Sequence, residues 1–178
     1  MSGQGMKTRP AEIRTERLRL AALRPRDGAG LIAILTDPSV TKTYMVPPLE
    51  TGEARQALFE RIRELSLSPE RFVYGIFSGD TVIGLLNETD RSGSEIELGY
   101  AIAPAHQGRG YASEALAAAI GALLDMGFSA VKTGAFIENK ASIRVMEKCG
   151  MHRTDETDTV TYRGEEHTCC YYVITDQN

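Results

Sequence analysis

The fold is decided by residues 95–116, which read EIELGYAIAPAHQGRGYASEAL. Residues 95–102 alternate between two kinds of side chain, as expected of a β-strand. The residues that share one face of this strand are Glu95, Glu97, Gly99 and Ala101. From residue 111 to residue 128, apolar side chains recur at helical spacing, which predicts a core helix. A glycine-rich loop therefore joins a strand to a helix.

That loop, QGRGYA, has the features of a phosphate-binding turn. A diphosphate needs inward-pointing N–H donors, a backbone that approaches closely and a helix amino terminus. Two glycines permit the close approach, and the arginine between them adds a fixed charge with several donors. We expect the main-chain N–H groups from Gly108 to about Ser113 to bind phosphate. The candidate cofactor-binding residues here are Gln107, Gly108, Arg109, Gly110, Tyr111, Ala112 and Ser113.

Two other phosphate-binding motifs also place glycines between a strand and a helix. A P-loop is nearly excluded, because the segment lacks the Gly-Lys-Ser/Thr ending. The dinucleotide fingerprint is closer, but Ser113 stands at its third glycine and residues 104–107 separate the strand from the glycines. A predicted hairpin upstream, residues 71–89, also disagrees with a doubly wound sheet. On these residues alone, dinucleotide binding and a helix entry without a ligand stay open.

The rest of the chain predicts one domain of mixed α/β type. Its 178 residues, 42% of them hydrophobic, suffice for one buried core. Besides the strand and helix above, the predicted elements are a strand at 17–22, helices at 25–35 and 51–66, strands at 71–77 and 81–89, a turn at 90–94, a strand at 130–136, a helix at 140–149 and two final strands around 162–165. We expect residues 13–178 to form the domain and residues 1–12 to be a disordered tail.

Composition excludes several classes of protein. A net charge of −4 gives no broad attraction to nucleic acid or anionic lipid. No apolar run approaches the roughly 20 residues of a membrane span, and the amino terminus lacks a signal segment. We therefore expect a cytoplasmic protein with no nucleic-acid or membrane partner. Three cysteines and three histidines are not spaced as metal ligands, so no metal is expected.

Together with its flanking segments, the loop resembles the GNAT superfamily of acetyltransferases. The superfamily motif, Gln/Arg-x-x-Gly-x-Gly/Ala, fits residues 107–112. Further segments resemble the Rim-type subgroup, which acetylates the amino termini of ribosomal proteins, and they occur in family order. They are TERLRL at 15–20, DPSV at 37–40, GYAI at 99–102, GYASEAL at 110–116 and NKAS at 139–142.

This resemblance implies a GNAT fold: a central mixed, largely antiparallel sheet, flanked by helices and splayed between two central strands. Acetyl-CoA would lie in the slot between those strands. Its pantetheine arm would pair with backbone groups near Ala101, Ile102 and Ala103. The implied activity is N-acetyl transfer in which an amine attacks the thioester directly, without an acyl-enzyme intermediate.

The acceptor would enter opposite the cofactor, between residues 44–53 and the terminal hairpin. The resemblance favours a primary amine at a protein or peptide amino terminus. A small amine, such as a polyamine, amino sugar or amino acid, is the alternative acceptor. A non-catalytic acyl-CoA-binding protein is a further alternative, and a homodimer is a family-level expectation.

The implied reaction requires a base and a proton donor. Glu97 is favoured as the base because its strand brings it close to the slot, and Glu95 shares its face. The position of the family's proton-donating tyrosine is Met146 here, which cannot donate. The Rim-type pattern offers instead the hydroxyl of Ser142, which is expected to contact the cofactor sulfur. Further expected cofactor contacts are Asn139 and Arg144.

Overall fold

The computed structural model of the chain describes residues 8–176, in which eight strands form one sheet. The strands are β1 (Glu12–Arg14), β2 (Arg19–Ala21), β3 (Val73–Ser78), β4 (Thr81–Ser92), β5 (Glu95–Ile102), β6 (Ala130–Phe136), β7 (His152–Tyr162) and β8 (Glu165–Thr175). The helices are α1 (Gly28–Thr36), α2 (Pro38–Thr41), α3 (Gly52–Leu67), α4 (Tyr111–Met126) and α5 (Lys140–Lys148). The sheet order is β1-β2-β3-β4-β5-β6-β8-β7, and every neighbouring pair is antiparallel except β5 with β6. The predicted fold class is confirmed.

Helices cover both faces of the sheet, because β3 and the first half of β4 are apolar on both sides. On one face, α4 places Leu116 in the same buried cluster as Ile96 of β5. On the other face, Leu31 of α1 and Phe59 of α3 share a cluster with Leu85 of β4. Burial on two faces stabilises each central strand and fixes its register, since a shift by one residue would exchange the faces.

The helix boundaries follow their sequence signals. The side chain of Thr51 accepts a hydrogen bond from the N–H of Ala54 at 3.1 Å, so it caps α3 as predicted. Gly127 ends α4 with a φ of +100°, a conformation that favours glycine. Within residues 8–176, no helix combines the length and apolarity that a membrane span requires.

Strand β4 is longer than the sequence suggested. A turn was expected at residues 90–94, but β4 stays paired with β5 as far as Ser92. The register shifts between Glu88 and Asp90, which marks a bulge in the strand. The prediction was wrong because polar residues beyond a bulge can still pair with the neighbouring strand. The chain then reverses at Gly93, whose φ is +59°.

The expected tail of residues 1–12 is only partly described. Residues 1–7 lie outside the described residues. Arg9 donates a hydrogen bond to the carbonyl oxygen of Val73 at 2.8 Å, and its guanidinium lies 4.3 Å from the centre of the Tyr74 ring. Contacts with the sheet therefore begin inside the stretch that was expected to be disordered.

The parallel strands β5 and β6 separate halfway along their length. Their pairing runs from Glu95 opposite Ala130 to Leu98 opposite Thr133 and stops there. At that point the hydroxyl of Thr133 donates to the carbonyl oxygen of Leu98 at 2.7 Å. β5 then continues to Ile102 along β4, while β6 continues along β8. The predicted splay between two central strands is confirmed.

Candidate active site

The chain passes from β5 to α4 through a short 3-10 turn, Pro104–His106, and the glycine loop. Two loop residues have left-handed backbone angles, with φ of +72° at Gly108 and +79° at Gly110. A side chain at either position would strain the backbone, which explains why both are glycine. Gly110 is also the N-cap of α4, so the loop ends on the helix amino terminus.

The N–H groups of this loop are free to bind a ligand. The first helical hydrogen bond of α4 runs from the N–H of Glu114 to the carbonyl oxygen of Gly110 at 3.0 Å. Within residues 8–176, no acceptor is found for the N–H groups of residues 108–113. Unpaired donors at a helix amino terminus form a ready anion site. The loop therefore fits a diphosphate, and its binding of a cofactor stays a prediction.

Gln107 has a different contact from the rest of the loop. Its side-chain Nε2 donates to the carbonyl oxygen of Ile102 at 2.9 Å, and its N–H donates to Pro104 at 3.2 Å. Both donors bind the end of β5 and the 3-10 turn. Gln107 thus holds the loop against the strand, and its expected contact with a cofactor stays a prediction.

Arg17 is part of the loop structure, although the sequence analysis did not assign it to the site. Its guanidinium donates to the carbonyl oxygen of Arg109 at 2.9 Å and pairs with the Glu114 carboxylate at 2.7 Å. It also lies 4.5 Å from the centre of the Tyr111 ring. Thr15 donates to the same carboxylate at 2.5 Å. The segments TERLRL and GYASEAL, quoted above as separate motifs, are therefore one interacting unit.

The two arginines expected near cofactor phosphates lie on different elements. Arg109 is at the exposed tip of the loop, and Arg144 is exposed on α5. Neither forms an ion pair with another described residue. Both guanidinium groups are thus available to an anionic ligand, and their predicted roles stay predictions.

The opening between β5 and β6 contains the backbone expected to bind a pantetheine arm. Ala101 and Ile102 lie past the last β5–β6 pair, on a part of β5 that pairs with β4. Beyond them, the N–H of Ala103 donates to the carbonyl oxygen of Ile83 at 2.7 Å, and its carbonyl oxygen accepts from the N–H of His106 at 2.8 Å. The Ala103 N–H is therefore paired with β4, and the expected pairing of residues 101–103 with a cofactor arm stays a prediction.

Ser142 is held at the start of α5 by two neighbours. The side-chain oxygen of Asn139, the N-cap, accepts the N–H of Ser142 at 3.2 Å. The hydroxyl of Tyr100 lies 2.7 Å from the hydroxyl oxygen of Ser142. Asn139 therefore caps helix α5. Tyr100, which lies in the GYAI motif, contacts the predicted proton donor, and nothing in the sequence indicated this contact.

Met146 lies where the family resemblance leads us to expect a proton-donating tyrosine, and it is fully buried. Its exposed fraction is 0%, and it belongs to the core cluster under α4. Burial of a thioether here is a packing role, since its sulfur has no proton to donate. A proton donor on α5 must therefore come from another position.

Glu97 is half-buried on the face of β5 opposite to Tyr100. Thr89, at the β4 bulge, donates to its carboxylate at 3.2 Å. Burial raises the pKa of Glu97, although Thr89 and Lys132 partly oppose the shift. Glu95, the rival base, is exposed and pairs with Ser92 next to the turn, further from the opening. The geometry therefore favours Glu97 over Glu95.

Tyr44 packs on the same face of β5 as Glu97. Its hydroxyl donates to Asn87 of β4 at 2.7 Å, and burial raises the pKa of this phenol. A Cβ placed on Gly99 would lie 3.7 Å from the Tyr44 ring and 3.1 Å from Thr89. The absence of a side chain at Gly99 thus lets Thr89 and Tyr44 pack closely against β5, on the face that carries Glu97.

A cavity of about 560 Å³ lies between the two segments predicted to form the acceptor walls. It is lined by Val46, Pro47, Pro48, Leu49 and Glu50 on one side and by Tyr162 and Arg163 on the other, with Leu35, Thr36 and Arg55 at its base. The hydroxyl of Tyr162 donates to the carbonyl oxygen of Thr41 at 2.8 Å, which ties the hairpin tip to the opposite wall.

His106 and the remaining histidines do not form a metal centre. His106 lies 6.3 Å from the Tyr111 ring, and its Nδ1 is buried without a partner among the described residues. His167 stacks on Phe136 at 4.2 Å and contacts Glu138. Among residues 8–176, no three His, Cys, Asp or Glu side chains are grouped to hold a metal ion.

Comparison with known sequences identifies the family. The profile of the acetyltransferase (GNAT) domain matches residues 17–152. The chain is 32% identical over 149 residues to the uncharacterized protein YkkB of Bacillus subtilis (strain 168), covering 78% of this chain and 83% of that protein. It is 29% identical over 148 residues to the uncharacterized N-acetyltransferase p20 of Bacillus licheniformis, covering 78% of this chain and 81% of that protein.

Solved structures share the fold. A GNAT-family acetyltransferase from Bacillus anthracis has a TM-score of 0.79 at 23% identity, covering 92% of this chain and 98% of that chain. RimJ from Mycobacterium smegmatis, solved in complex with CoA-disulfide, has a TM-score of 0.78 at 17% identity, covering 96% and 88%. With the splayed sheet and the glycine loop in place, the domain match is decisive, and the chain belongs to the GNAT family of N-acetyltransferases.

Proposed function

We propose that this enzyme transfers acetyl from acetyl-CoA directly to a primary amine, and that the amine is the amino terminus of a protein or peptide. The observation that carries the cofactor assignment is the row of N–H groups at residues 108–113 that lack acceptors in the described chain. They lie at the head of α4, beside the opening between β5 and β6. A diphosphate group fits the loop, and an extended arm fits the opening.

The residues proposed to hold the cofactor come from three elements. The N–H groups of the loop would bind the pyrophosphate, with Arg109 and Arg144 adding charge. The backbone of Ala101 and Ile102 would pair with the pantetheine arm. Bound acetyl-CoA supplies the thioester whose carbonyl carbon accepts the amine nitrogen. The protein then contributes orientation and proton handling.

Glu97 is proposed as the base that removes a proton from the acceptor nitrogen. Its raised pKa makes it a stronger base than an exposed carboxylate, and Thr89 holds one of its oxygens at 3.2 Å. The carboxylate can take the proton directly or through one water molecule. Glu97 shares its strand face with Gly99, which packs near Tyr44. The acceptor is proposed to approach from this face.

Ser142 is proposed as the proton donor to the leaving sulfur. It lies at the first turn of α5, and Tyr100 of β5 contacts its hydroxyl. Side chains at 97 and 100 point to opposite faces of a strand, so base and donor approach the opening from opposite sides. This separation suits a direct transfer, in which the amine attacks from one side and the sulfur leaves on the other.

A peptide amino terminus is proposed as the acceptor because of the Rim-type motifs and the shape of the acceptor side. The cavity of about 560 Å³ lies between residues 46–50 and the hairpin tip at Tyr162 and Arg163. A space of that size takes more than a bare amine, since sites of roughly 300–1,000 Å³ bury drug-sized molecules. The first residues of an extended peptide would occupy it.

The test is an acetyl-CoA assay that follows the release of free thiol. The acceptors are peptides with different amino-terminal residues, the same peptides with the amino terminus blocked, polyamines and free amino acids. We expect turnover of the free peptides and none of the blocked ones. A higher kcat/KM for small amines would assign the alternative acceptor class.

Cofactor binding is tested separately by thermal unfolding. At a ligand concentration of 100 Kd the expected stabilisation is about 2.7 kcal/mol, which raises the Tm of a chain of this size by roughly 5–10 °C. Stabilisation by acetyl-CoA without turnover of any acceptor would favour an acyl-CoA-binding protein, the alternative raised by Met146. No stabilisation by acetyl-CoA would contradict the assigned cofactor site.

A further inference from the structure

We infer that Tyr100 is a positioning residue: its hydroxyl orients the Ser142 hydroxyl so that the serine proton is presented to the opening between β5 and β6. This inference rests on the proposed role of Ser142 as proton donor. It adds a residue from the central strand to a function otherwise placed on α5. The sequence shows no spacing that would link the two positions.

The contact between the two residues is short and specific. The Tyr100 oxygen lies 2.7 Å from the Ser142 hydroxyl oxygen and 3.3 Å from the Ser142 carbonyl oxygen. Tyr100 lies two residues beyond Leu98, where the β5–β6 pairing ends. The N–H of Ser142 is bound by Asn139 at 3.2 Å. Ser142 is therefore held by its N–H and its hydroxyl oxygen, and its own proton is left for a third partner.

The direction of the hydrogen bond follows from the chemistry of the two hydroxyls. Burial raises the pKa of Tyr100, so the phenol stays protonated and has one hydrogen to donate. A phenol is a stronger donor than an aliphatic alcohol, and Tyr100 has only oxygens of Ser142 within its hydrogen-bond distance among the described residues. A hydroxyl that accepts a hydrogen bond becomes a better donor itself. Donation from Tyr100 thus strengthens Ser142 as a donor.

With these roles, every proton lost or gained in the transfer has a named donor or acceptor. The new C–N bond forms as the C–S bond breaks, and the sulfur leaves with the bonding electron pair. Glu97 takes the proton that the nitrogen loses and releases it to solvent. Ser142 gives a proton to the sulfur and regains one from solvent. Tyr100 keeps its proton throughout, which is why it positions and does not itself react.

The decisive experiment is a double-mutant cycle on kcat with Tyr100→Phe, Ser142→Ala and the double variant. Loss of the serine hydroxyl is expected to lower kcat roughly 100-fold, as for removal of a general acid. Tyr100→Phe removes one hydrogen bond and is expected to lower kcat roughly fivefold. The KM for acetyl-CoA should change less than twofold in both. In the Ser142→Ala background, Tyr100→Phe should have no further effect, because its effect passes through the missing hydroxyl.

Tyr172→Phe is the matched control. Tyr172 is a buried tyrosine of the same core cluster, and its hydroxyl contacts Glu147 on α5 instead of Ser142. It should leave kcat unchanged. An equal loss from Tyr100→Phe in the wild-type and Ser142→Ala backgrounds would overturn the inference, because Tyr100 would then act on structure alone. An unchanged kcat in Tyr100→Phe with a large loss in Ser142→Ala would overturn it too, while the proposed function would stand.

An unchanged kcat in Ser142→Ala would instead remove the proton-donor role and this inference with it, leaving acetyl transfer itself intact. A crystal structure of the wild-type protein with CoA gives a second measure that does not depend on any variant folding. The inference requires the Tyr100 oxygen to stay on the Ser142 hydroxyl while that hydroxyl lies within hydrogen-bond distance of the CoA sulfur. A Tyr100 hydroxyl bound only to the Ser142 carbonyl would overturn it.

Discussion

The guanidinium of Arg17 donates a hydrogen bond to the carbonyl oxygen of Arg109 at 2.9 Å, although 92 residues separate them in the chain. The same side chain pairs with Glu114 in the first turn of α4. Arg17 therefore fixes both the tip of the glycine loop and the helix that follows it. A residue near the start of the domain sets the geometry of the anion site.

Replacement of Arg17 by Gln is expected to weaken acetyl-CoA binding about tenfold. The substitution removes a charge-assisted hydrogen bond that orders the loop. Its loss is expected to cost about 1.4 kcal/mol, which corresponds to a tenfold increase in the Kd for acetyl-CoA. Isothermal titration with acetyl-CoA measures the change. Arg14→Gln is the control, since Arg14 pairs with Glu12 on β1 away from the loop. Equal affinities of the Arg17 and Arg14 variants for acetyl-CoA would show that the contacts of Arg17 with Arg109 and Glu114 do not shape the site.

Gly110→Ala is expected to lower both stability and cofactor affinity. Its φ of +79° costs an alanine about 1 kcal/mol, and the added Cβ would lie 3.4 Å from the Arg17 guanidinium. The comparison is Gly121→Ala inside α4, where nothing lies within 4 Å of the new Cβ. That change should stabilise the protein by about 0.5–1 kcal/mol. Urea unfolding and acetyl-CoA titration of both variants check the contrast.

Glu97→Gln is expected to abolish the acidic limb of the pH–kcat profile. As a base, Glu97 works only when ionised, so activity falls as pH drops through its pKa, which burial raises above 4.5. The glutamine variant should be slow at every pH without that limb. Glu95→Gln, on the same strand face but exposed, should keep both rate and profile. A profile in Glu97→Gln that still shows the limb would assign the base to another group.

The same shift has a consequence for stability. A carboxyl whose pKa is raised on folding contributes stability below its unfolded pKa and loses it as pH rises through the folded pKa. Glu97 therefore makes wild type relatively less stable at neutral pH than at pH values just below 4.5. Glu97→Gln should flatten this part of the pH dependence, which urea unfolding between pH 4 and pH 8 would measure.

Tyr162→Phe is expected to raise the KM for a peptide acceptor by roughly fivefold, the value of one hydrogen bond. The Tyr162 hydroxyl donates to the carbonyl oxygen of Thr41, and the Tyr162 side chain lines the cavity. Steady-state kinetics with a peptide, at saturating acetyl-CoA, gives the change. The KM for acetyl-CoA should not move, because the cofactor half of the site lies on β5 and α4. A rise in both KM values would point to a general loosening of the fold.

The sequence predicted the local structure of the glycine loop well, because that structure depends on a few neighbouring backbone positions. Gly108 and Gly110 signal left-handed turns, and a strand before them and a helix after them define where the N–H groups converge. Alternation over residues 95–102 likewise predicted which side chains share a face of β5. Such local patterns act over a few residues, so they can be read without knowledge of the fold.

Contacts between distant segments could not be predicted in that way. Nothing in the spacing of Arg17 and Glu114, or of Tyr100 and Ser142, indicates that they meet, since the sheet order brings them together. The hydrogen bond from the Ala103 N–H to Ile83 and the extension of β4 beyond its bulge likewise depend on a neighbouring strand. The Rim-type motifs mark several of these residues but do not say what they contact.

The short pairing of β5 with β6 has a mechanical consequence. Within the described residues, the main-chain ladder that joins the two halves of the sheet runs only from Glu95–Ala130 to Leu98–Thr133. Past Leu98, β5 contacts the helix that follows β6 through the hydrogen bond between Tyr100 and Ser142. A ligand that entered this gap would have no main-chain ladder to break. The sheet can therefore accept an extended group between two of its central strands and stay paired everywhere else.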